Sequence, residues 1–329
     1  MAETAAELAK GVAAGERAAL ARAITALESQ RPDRAALGQA VLAASMARTG
    51  GAFRIGVTGV PGVGKSSLIE ALGMMLVERG LKVAVLALDP TSERTGGSIL
   101  GDKTRMTRLS GASGAFVRPS PTSGTLGGVG RMTREALLLC EAAGHDVVMV
   151  ETVGVGQSET IVARMVDLFL FLVLPGAGDA LQGIKKGIVE LADVIAVTKA
   201  DGEARLKAAQ AARHYEDALA ILAPRVASWR PPVMEVSALE GAGLAALWAM
   251  LERHRQVMQE TGAFADRRRV QNRLWFETLL DQRLRDLVLG LPGMAARIAE
   301  TGDAVAAGQI EPGMAVLSVL ERLNAWFGA

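Results

Sequence analysis

Gly59-Val60-Pro61-Gly62-Val63-Gly64-Lys65-Ser66 follows the spacing G-x-x-x-x-G-K-[ST]. A strand-like run (54–58) precedes it and a helical pattern (66–79) follows, which is the setting a phosphate-binding loop needs. Glycines let such a loop curl until successive backbone N–H groups converge on one phosphate, and the helix N-terminus adds partial positive charge. Lys65 is then the ammonium that bridges the β- and γ-phosphates, and the Ser66 hydroxyl is a ligand for Mg2+. The candidate phosphate contacts are Gly59, Gly62, Val63, Gly64, Lys65, Ser66 and Ser67. The plainer alternative is a glycine-rich turn with a capping serine. Average residue usage gives this string by chance in roughly one chain in a hundred of this length, before the strand and helix are required.

A magnesium ion in that loop also needs a carboxylate from across the site. Glu151 ends the apolar run 146–151 and leads into Thr152-Val153-Gly154. It is expected at the carboxyl end of a strand, where doubly wound sheets place their ligands, and is assigned to the metal through water. Gly154 is assigned a backbone N–H to the γ-phosphate and a swing when that phosphate leaves. Asp89 closes the run 82–88, and Asp102 sits in the glycine-bracketed stretch Gly96-Gly97-Ser98-Ile99-Leu100-Gly101-Asp102-Lys103. Both are candidates to complete the Mg2+ shell or orient the attacking water. The competing readings are a turn cap for Asp89, a surface acid for Asp102 and a solvated strand end for Glu151. Lys65, Asp89, Asp102 and Glu151 form the expected catalytic set, with Ser66, Asp89, Asp102 and Glu151 around the metal. Arg105 and Arg108 are near enough in sequence to Asp102 to supply transition-state charge, or are simply solvated.

Thr198-Lys199-Ala200-Asp201 fits [NT]-K-x-D after the apolar strand 193–198. A carboxylate at Asp201 can accept hydrogen bonds from guanine N1–H and the 2-amino group, whereas adenine offers neither donor. The Lys199 methylenes can cover one face of the ring. A mismatched base would leave the carboxylate unpaired, which discriminates strongly. Ser237, Ala238 and Leu239 follow the strand 232–236 and are expected to present backbone N–H groups to the guanine 6-oxygen. Alone, T-K-x-D could be an exposed helix start. Its place two strands after Glu151 and one before Ser-Ala-Leu favours GTP over ATP.

These residues need a scaffold that gathers loops at one sheet edge. Seven runs, 54–58, 82–88, 115–118, 146–151, 168–174, 193–198 and 232–236, alternate with helical stretches that include 66–79, 125–143, 203–221 and 242–260. Most of the runs are continuously apolar, so helices must cover both faces of the sheet. The expected fold is α/β, a doubly wound, mostly parallel sheet of the P-loop type with helical extensions. The expected domains are an N-terminal extension (1–50), the nucleotide-binding domain (51–260) and a C-terminal arm (261–329). Within 3–49 the pattern is helical, and Pro32 is expected to split it into two helices. The arm reads as helices at 266–288, 292–299 and 312–327, and its apolar positions Leu274, Leu280, Leu284 and Leu287 exceed what a lone helix can shield.

Composition narrows the function further. The 329 residues carry 36 Lys+Arg and 35 Asp+Glu, a formal net charge of +1. That excludes a disordered acidic or basic chain and a polyanion binder driven by bulk charge. Arg267-Arg268-Arg269 lacks interleaved aromatics and reads as a solvated helix start, so no nucleic-acid partner is expected. Cys140 is the lone cysteine and cannot form an internal disulfide, and His145, His214 and His254 lie too far apart for a local metal cluster. Glu3, Glu7 and Glu16 interrupt the start of the chain, so no export signal is read. The apolar stretch 168–174 is far short of the ~20 residues a bilayer span needs. A cytoplasmic protein with no membrane contact is expected.

With these elements in order, the chain resembles SIMIBI-class P-loop GTPases, and is most similar to the MeaB/ArgK branch, chaperones of adenosylcobalamin-dependent methylmalonyl-CoA mutase. The residues that carry the resemblance are 59–66, 87–92, 96–107, 151–158, 175–187 and 198–201. The resemblance implies Mg2+ with GTP or GDP, a homodimer through the C-terminal helices, and GTP turnover that gates cofactor loading and protects the mutase from inactivation. It also implies a mobile segment that passes nucleotide state to the mutase, mapped here to Asp179, Gln182 and Lys185. Thr198 stands where most GTPases have Asn, so an amide contact to the base is lost while the hydroxyl can still tie down the loop. Gln157 lies past the Gly154–Gly156 turn, so slow, partner-stimulated hydrolysis is expected. Two other functions compete: a nickel or cobalt metallochaperone, for which only Cys140 and His145 stand close together, and an ATP-dependent small-molecule kinase, which Asp201 argues against.

Overall fold

A computed structural model of the chain describes residues 4–89, 106–121, 126–152, 158–176, 186–221 and 226–327. The apolar runs form β1 (Phe53–Gly59), β2 (Val83–Asp89), β3 (Ala115–Pro121), β4 (Val147–Glu151), β5 (Leu168–Val173), β6 (Val194–Val197) and β7 (Val233–Glu235). They pair in the order β3-β2-β4-β1-β5-β6-β7, and every pairing is parallel. The mostly parallel sheet expected from sequence is, among the described residues, wholly parallel. β1, β4, β5 and β6 are buried along their whole length, as strands covered on both faces must be.

The helices are α1 (Ala5–Ala13), α2 (Arg17–Leu27), α3 (Pro32–Ser45), α4 (Lys65–Glu78), α5 (Thr107–Gly111), α6 (Leu126–Ala142), α7 (Ser158–Ala163), α8 (Lys186–Leu191), α9 (Arg205–Ile221), α10 (Leu244–Glu260), α11 (Ala263–Gly290), α12 (Met294–Ala306) and α13 (Pro312–Phe327). The two-residue period of the strands sorts their side chains between two cores. Val148 and Val150 of β4 join Leu8, Leu20 and Ile24 of the N-terminal helices. Val147 and Met149 join Leu68, Leu72 and Leu76 of α4. Continuing the alternation puts Glu151 on the α4 side.

The N-terminal segment differs from the expectation in one respect. It holds three α-helices, because the chain breaks at Gly15 as well as before Pro32. Gly15 has φ +74°, a left-handed conformation that terminates α1 and turns the chain into α2. The apolar period runs on through this turn, which is why the sequence reads as one helix there. Thr4 caps α1 in a capping box with Glu7. Arg118 of β3 ties α2 to the sheet through Glu28 and Thr25.

At the amino ends of the strands, charges are buried in pairs. Asp193, ahead of β6, accepts both Arg267 Nη atoms at 2.8 and 2.9 Å and the Phe169 N–H at 2.8 Å. Asp167, ahead of β5, accepts Arg268 Nε and Nη2 at 2.7 Å each and the Arg54 N–H at 2.9 Å. Arg54 in turn holds Glu141 at 2.8 and 2.9 Å. The expectation of a solvated arginine run is therefore corrected: the Arg267 and Arg268 side chains are only 11% and 15% exposed, in ion pairs that dock the start of α11 on the sheet. Removing one partner of such a pair strands the other charge in the interior, which costs about 3–5 kcal/mol.

Met1–Arg268 forms one compact unit and Arg269–Ala329 a second. Within the second unit α12 packs on α13. Phe276, Leu280, Leu284 and Leu287 make an exposed stripe at helical spacing along α11, and Met314, Val316, Leu317 and Leu320 are exposed on α13. Among the described residues no helix is long and apolar enough to cross a membrane.

Candidate functional site

The loop between β1 and α4 is built by close approach. A side chain at Gly59 would place its Cβ 2.6 Å from the Leu172 carbonyl oxygen and 2.9 Å from Val63 Cγ1, so only glycine fits. Gly62 and Gly64 have φ +79° and +96°, the left-handed region that lets the loop fold over its own N–H groups. Val63 is fully buried and anchors the loop, while Ser67 is exposed on the first turn of α4. Lys65 is 8% exposed, and its Nζ donates to the carbonyls of Gly59 at 2.8 Å and Val60 at 3.3 Å. An ammonium held across the loop by two carbonyls can exchange them for phosphate oxygens.

Glu151 stands where the strand alternation places it. Its register partners are Val57 of β1 and Ala87 of β2, and its Oε1 accepts the Ser66 hydroxyl at 2.9 Å. The residues fit magnesium: a hydroxyl and a carboxylate are hard oxygen donors, and they stand together beside the phosphate loop, where Ser66 would hold the ion and Glu151 would reach it through water. Thr152 secures this strand end, donating its N–H to the Val57 carbonyl at 3.0 Å and its hydroxyl to Thr58 Oγ1 at 2.7 Å. Sequence reasoning passed over that lock, although two threonines ending adjacent strands were its visible sign.

Asp89 is the last residue of β2, in register with Pro121 and two positions beyond the partner of Glu151, so its backbone stands at the same sheet edge. Asp102, Arg105, Gly154, Gln157, Asp179, Gln182 and Lys185 lie outside the described residues. Arg108, the second residue of α5, has an exposed side chain, and its backbone N–H donates to Glu70 at 2.9 Å.

The third part of the site comes from β6 and β7. The buried Thr198 hydroxyl lies 2.6 Å from the Val63 carbonyl and 3.2 Å from that of Val173, binding the phosphate loop to the T-K-x-D loop. Lys199 has φ +54°, alone in left-handed conformation among the described non-glycine residues, a strain characteristic of functional loops. Ser237, itself fully buried, donates its hydroxyl to Asp201 Oδ2 at 2.6 Å and accepts the Glu240 N–H at 3.1 Å. Ala238 and the exposed Leu239 occupy the turn between. Arg205 and Glu240 pair at 2.5 Å and join the two base loops from outside, a link the sequence reading missed because it spans 35 residues. Those of the expected contacts that lie among the described residues are thus drawn to one end of the sheet, with the Asp201 carboxylate fixed by a serine.

This geometry can be compared with known proteins. The family model described as "Methylmalonyl Co-A mutase-associated GTPase MeaB" matches residues 20–292. The chain belongs to the MeaB family. A "probable GTPase" of Mycobacterium tuberculosis is 55% identical over 317 residues, covering 96% of this chain and 94% of that protein. The mouse "methylmalonic aciduria type A homolog, mitochondrial" is 43% identical, over 95% of this chain and 78% of the relative. Among solved structures, one described as "LAO/AO transport system kinase" superposes with a TM-score of 0.77 at 38% identity, covering 98% of this chain and 99% of that one. As a MeaB-family protein, the chain is a SIMIBI P-loop GTPase, and its sheet and phosphate loop are those expected of the class.

Proposed function

We propose that this GTPase uses Mg2+ and GTP to gate cofactor loading of adenosylcobalamin-dependent methylmalonyl-CoA mutase and to protect that enzyme from inactivation. The family description, which names the mutase, and the mouse relative support the partner. The observation that carries the nucleotide reading is the Asp201 carboxylate, held by Ser237 at 2.6 Å on a loop that Thr198 ties to the phosphate loop. Gly59, Gly62, Val63, Gly64, Lys65, Ser66 and Ser67 would hold the phosphates, Ser66 and Glu151 the metal, and Asp201 the guanine, with Asp89 and Asp102 completing the reacting centre. Magnesium would neutralise charge developing on the phosphate oxygens. Lys65 gives up its carbonyls to those oxygens, and Glu151 holds Ser66 in place.

The exposed stripe on α11 supports a homodimer through the arm, and Asp179, Gln182 and Lys185 are proposed to face the mutase. The metallochaperone reading loses its ligands. Cys140 is fully buried and its thiol is pushed up by burial, away from the thiolate a metal needs, while His145 Nδ1 lies 2.9 Å from the Cys140 carbonyl oxygen.

Two measurements test the proposal. Titration with GDP and ADP should give a strong preference for GDP; equal affinities would remove the guanine reading and favour an ATP-dependent kinase. GTP turnover should rise on adding methylmalonyl-CoA mutase and the rise should disappear in Lys185→Ala. No complex and no change in rate would sink the partner assignment.

A further inference from the structure

The turn between α1 and α2 and the amino ends of β2, β3 and β4 line a cavity of about 270 Å3. Arg17, Lys82, Ser113 and His145 line it, with Gly15 and Gly114 between them. Lys82 immediately precedes β2, and His145 lies six residues before Glu151, which at ~3.3 Å per strand residue puts the cavity about 20 Å from the Ser66–Glu151 pair. It therefore has no part in the nucleotide site.

Its polar groups are positioned rather than merely present. Arg17 Nη2 donates to the Ser110 carbonyl at 2.6 Å, a contact that fixes the guanidinium while using only one of its five N–H donors. The Lys82 backbone is held at both ends of its peptide, its N–H by Asp146 Oδ2 and its carbonyl by the Asp146 N–H, each at 2.8 Å. Among the described residues its ammonium has no carboxylate partner. The His145 ring is locked through Nδ1 on the Cys140 carbonyl and sits against Phe116, 6.1 Å between ring centres. Burial, helped by the Lys82 charge, holds His145 below the usual imidazole range, against the pull of the Cys140 carbonyl and Asp146. The cavity thus presents a guanidinium, an ammonium, a hydroxyl and, at neutral pH, an uncharged imidazole.

We propose that this cavity binds a phosphate group, either free phosphate or a small phosphate monoester, between Arg17 and Lys82. The anchored Arg17 guanidinium and the Lys82 ammonium together match a phosphate dianion in charge, and the guanidinium fork matches its oxygens in shape. Arg17 belongs to α2 and Lys82 to the sheet edge, so the bound anion would also pin the N-terminal helices to the sheet and raise the unfolding temperature by mass action.

The test uses the full chain saturated with Mg2+ and GDP, so that the phosphate loop is filled, in phosphate-free buffer at constant ionic strength. With three histidines in the sequence, the His145 ring resonance can be followed by NMR during titration with inorganic phosphate and, separately, glycerol phosphate. The expected result is a saturable shift of His145 but not of His214, with an upward move of the His145 titration midpoint on binding. Arg17→Ala and Lys82→Ala should each weaken binding about tenfold, the worth of one charge-assisted hydrogen bond. Tighter binding of the monoester would assign the cavity to an esterified phosphate, and tighter binding of the free anion to inorganic phosphate. Absence of a saturable His145 shift with both probes, or unchanged affinity in the folded double variant, would overturn the proposal.

Discussion

The two ends of the sheet solve different problems with the same strands. At the carboxyl ends, loops rich in glycine hold polar groups through hydroxyl hydrogen bonds, such as Ser66 on Glu151, Thr198 on Val63 and Ser237 on Asp201. At the amino ends, Asp167, Asp193 and Glu141 are saturated by arginines in forked ion pairs with little exposure. A group that must change partners when nucleotide binds cannot be saturated beforehand, whereas a group that only fixes the framework can. The contrast implies that damage at one end should appear as lost stability and at the other as lost nucleotide chemistry.

The largest effect is expected at the framework end. Asp193→Ala leaves Arg267 without its carboxylate and the Phe169 N–H without its acceptor, and should cost about 3–5 kcal/mol, read as a lower urea midpoint with an unchanged slope. GDP affinity of the folded protein, measured at low temperature, should be preserved. Acid gives the same bond a second test. Burial raises the Asp193 carboxyl, but His254 and Arg267 prevail and hold it well below the usual carboxylate range. Its stabilising contribution is therefore complete above the unfolded value of about 3.9 and is lost as pH falls below it towards the folded value. The wild type should show this loss and Asp193→Ala a flatter acid limb.

The mirror-image variant is Lys65→Ala. Its ammonium is held by the loop carbonyls of Gly59 and Val60, contacts it must exchange for phosphate, so unfolding should be little changed, whereas GTP turnover should fall by about 100- to 1000-fold. A Lys65→Ala protein that unfolds as readily as Asp193→Ala would erase the distinction between the ends.

How readily each end could be read from sequence follows the same division. The phosphate loop, Glu151 at its strand end and T-K-x-D are short contiguous strings whose chemistry requires that order, and most of the seven strands stood out as apolar runs. The ion pairs had no such signature. Arg267 meets a partner 74 residues away, and Arg268 reaches partners 101 and 218 residues away, so an arginine run looks solvated until the fold supplies its acids. Gly15 was hidden differently, because the apolar period survives the turn it makes. The Arg205–Glu240 pair escaped for want of any motif linking the two base loops.

Base selectivity should respond next in size. Asp201→Ala removes the acceptor for N1–H and the 2-amino group, and should weaken GDP by about 2–3 kcal/mol while leaving ADP unchanged. Equilibrium titration with both nucleotides would detect it. If ADP fell in parallel, Asp201 would be holding the loop rather than reading the base.

Thr198→Val gives the smallest and sharpest comparison, because it changes one hydroxyl to a methyl within a nearly identical shape. The Val173 carbonyl keeps the Thr198 N–H at 2.9 Å, so the loss falls on the Val63 carbonyl, which is held by the hydroxyl at 2.6 Å. A net hydrogen bond of about 1 kcal/mol should then disappear, and because it joins the phosphate loop to the base loop, GDP should bind about fivefold more weakly. Thr198→Asn restores a donor at the same position and should recover most of that affinity. Should Val bind GDP as well as Thr does, the two loops are held in register by the buried Val63 side chain, and the carboxyl end of the sheet is as rigid as the amino end.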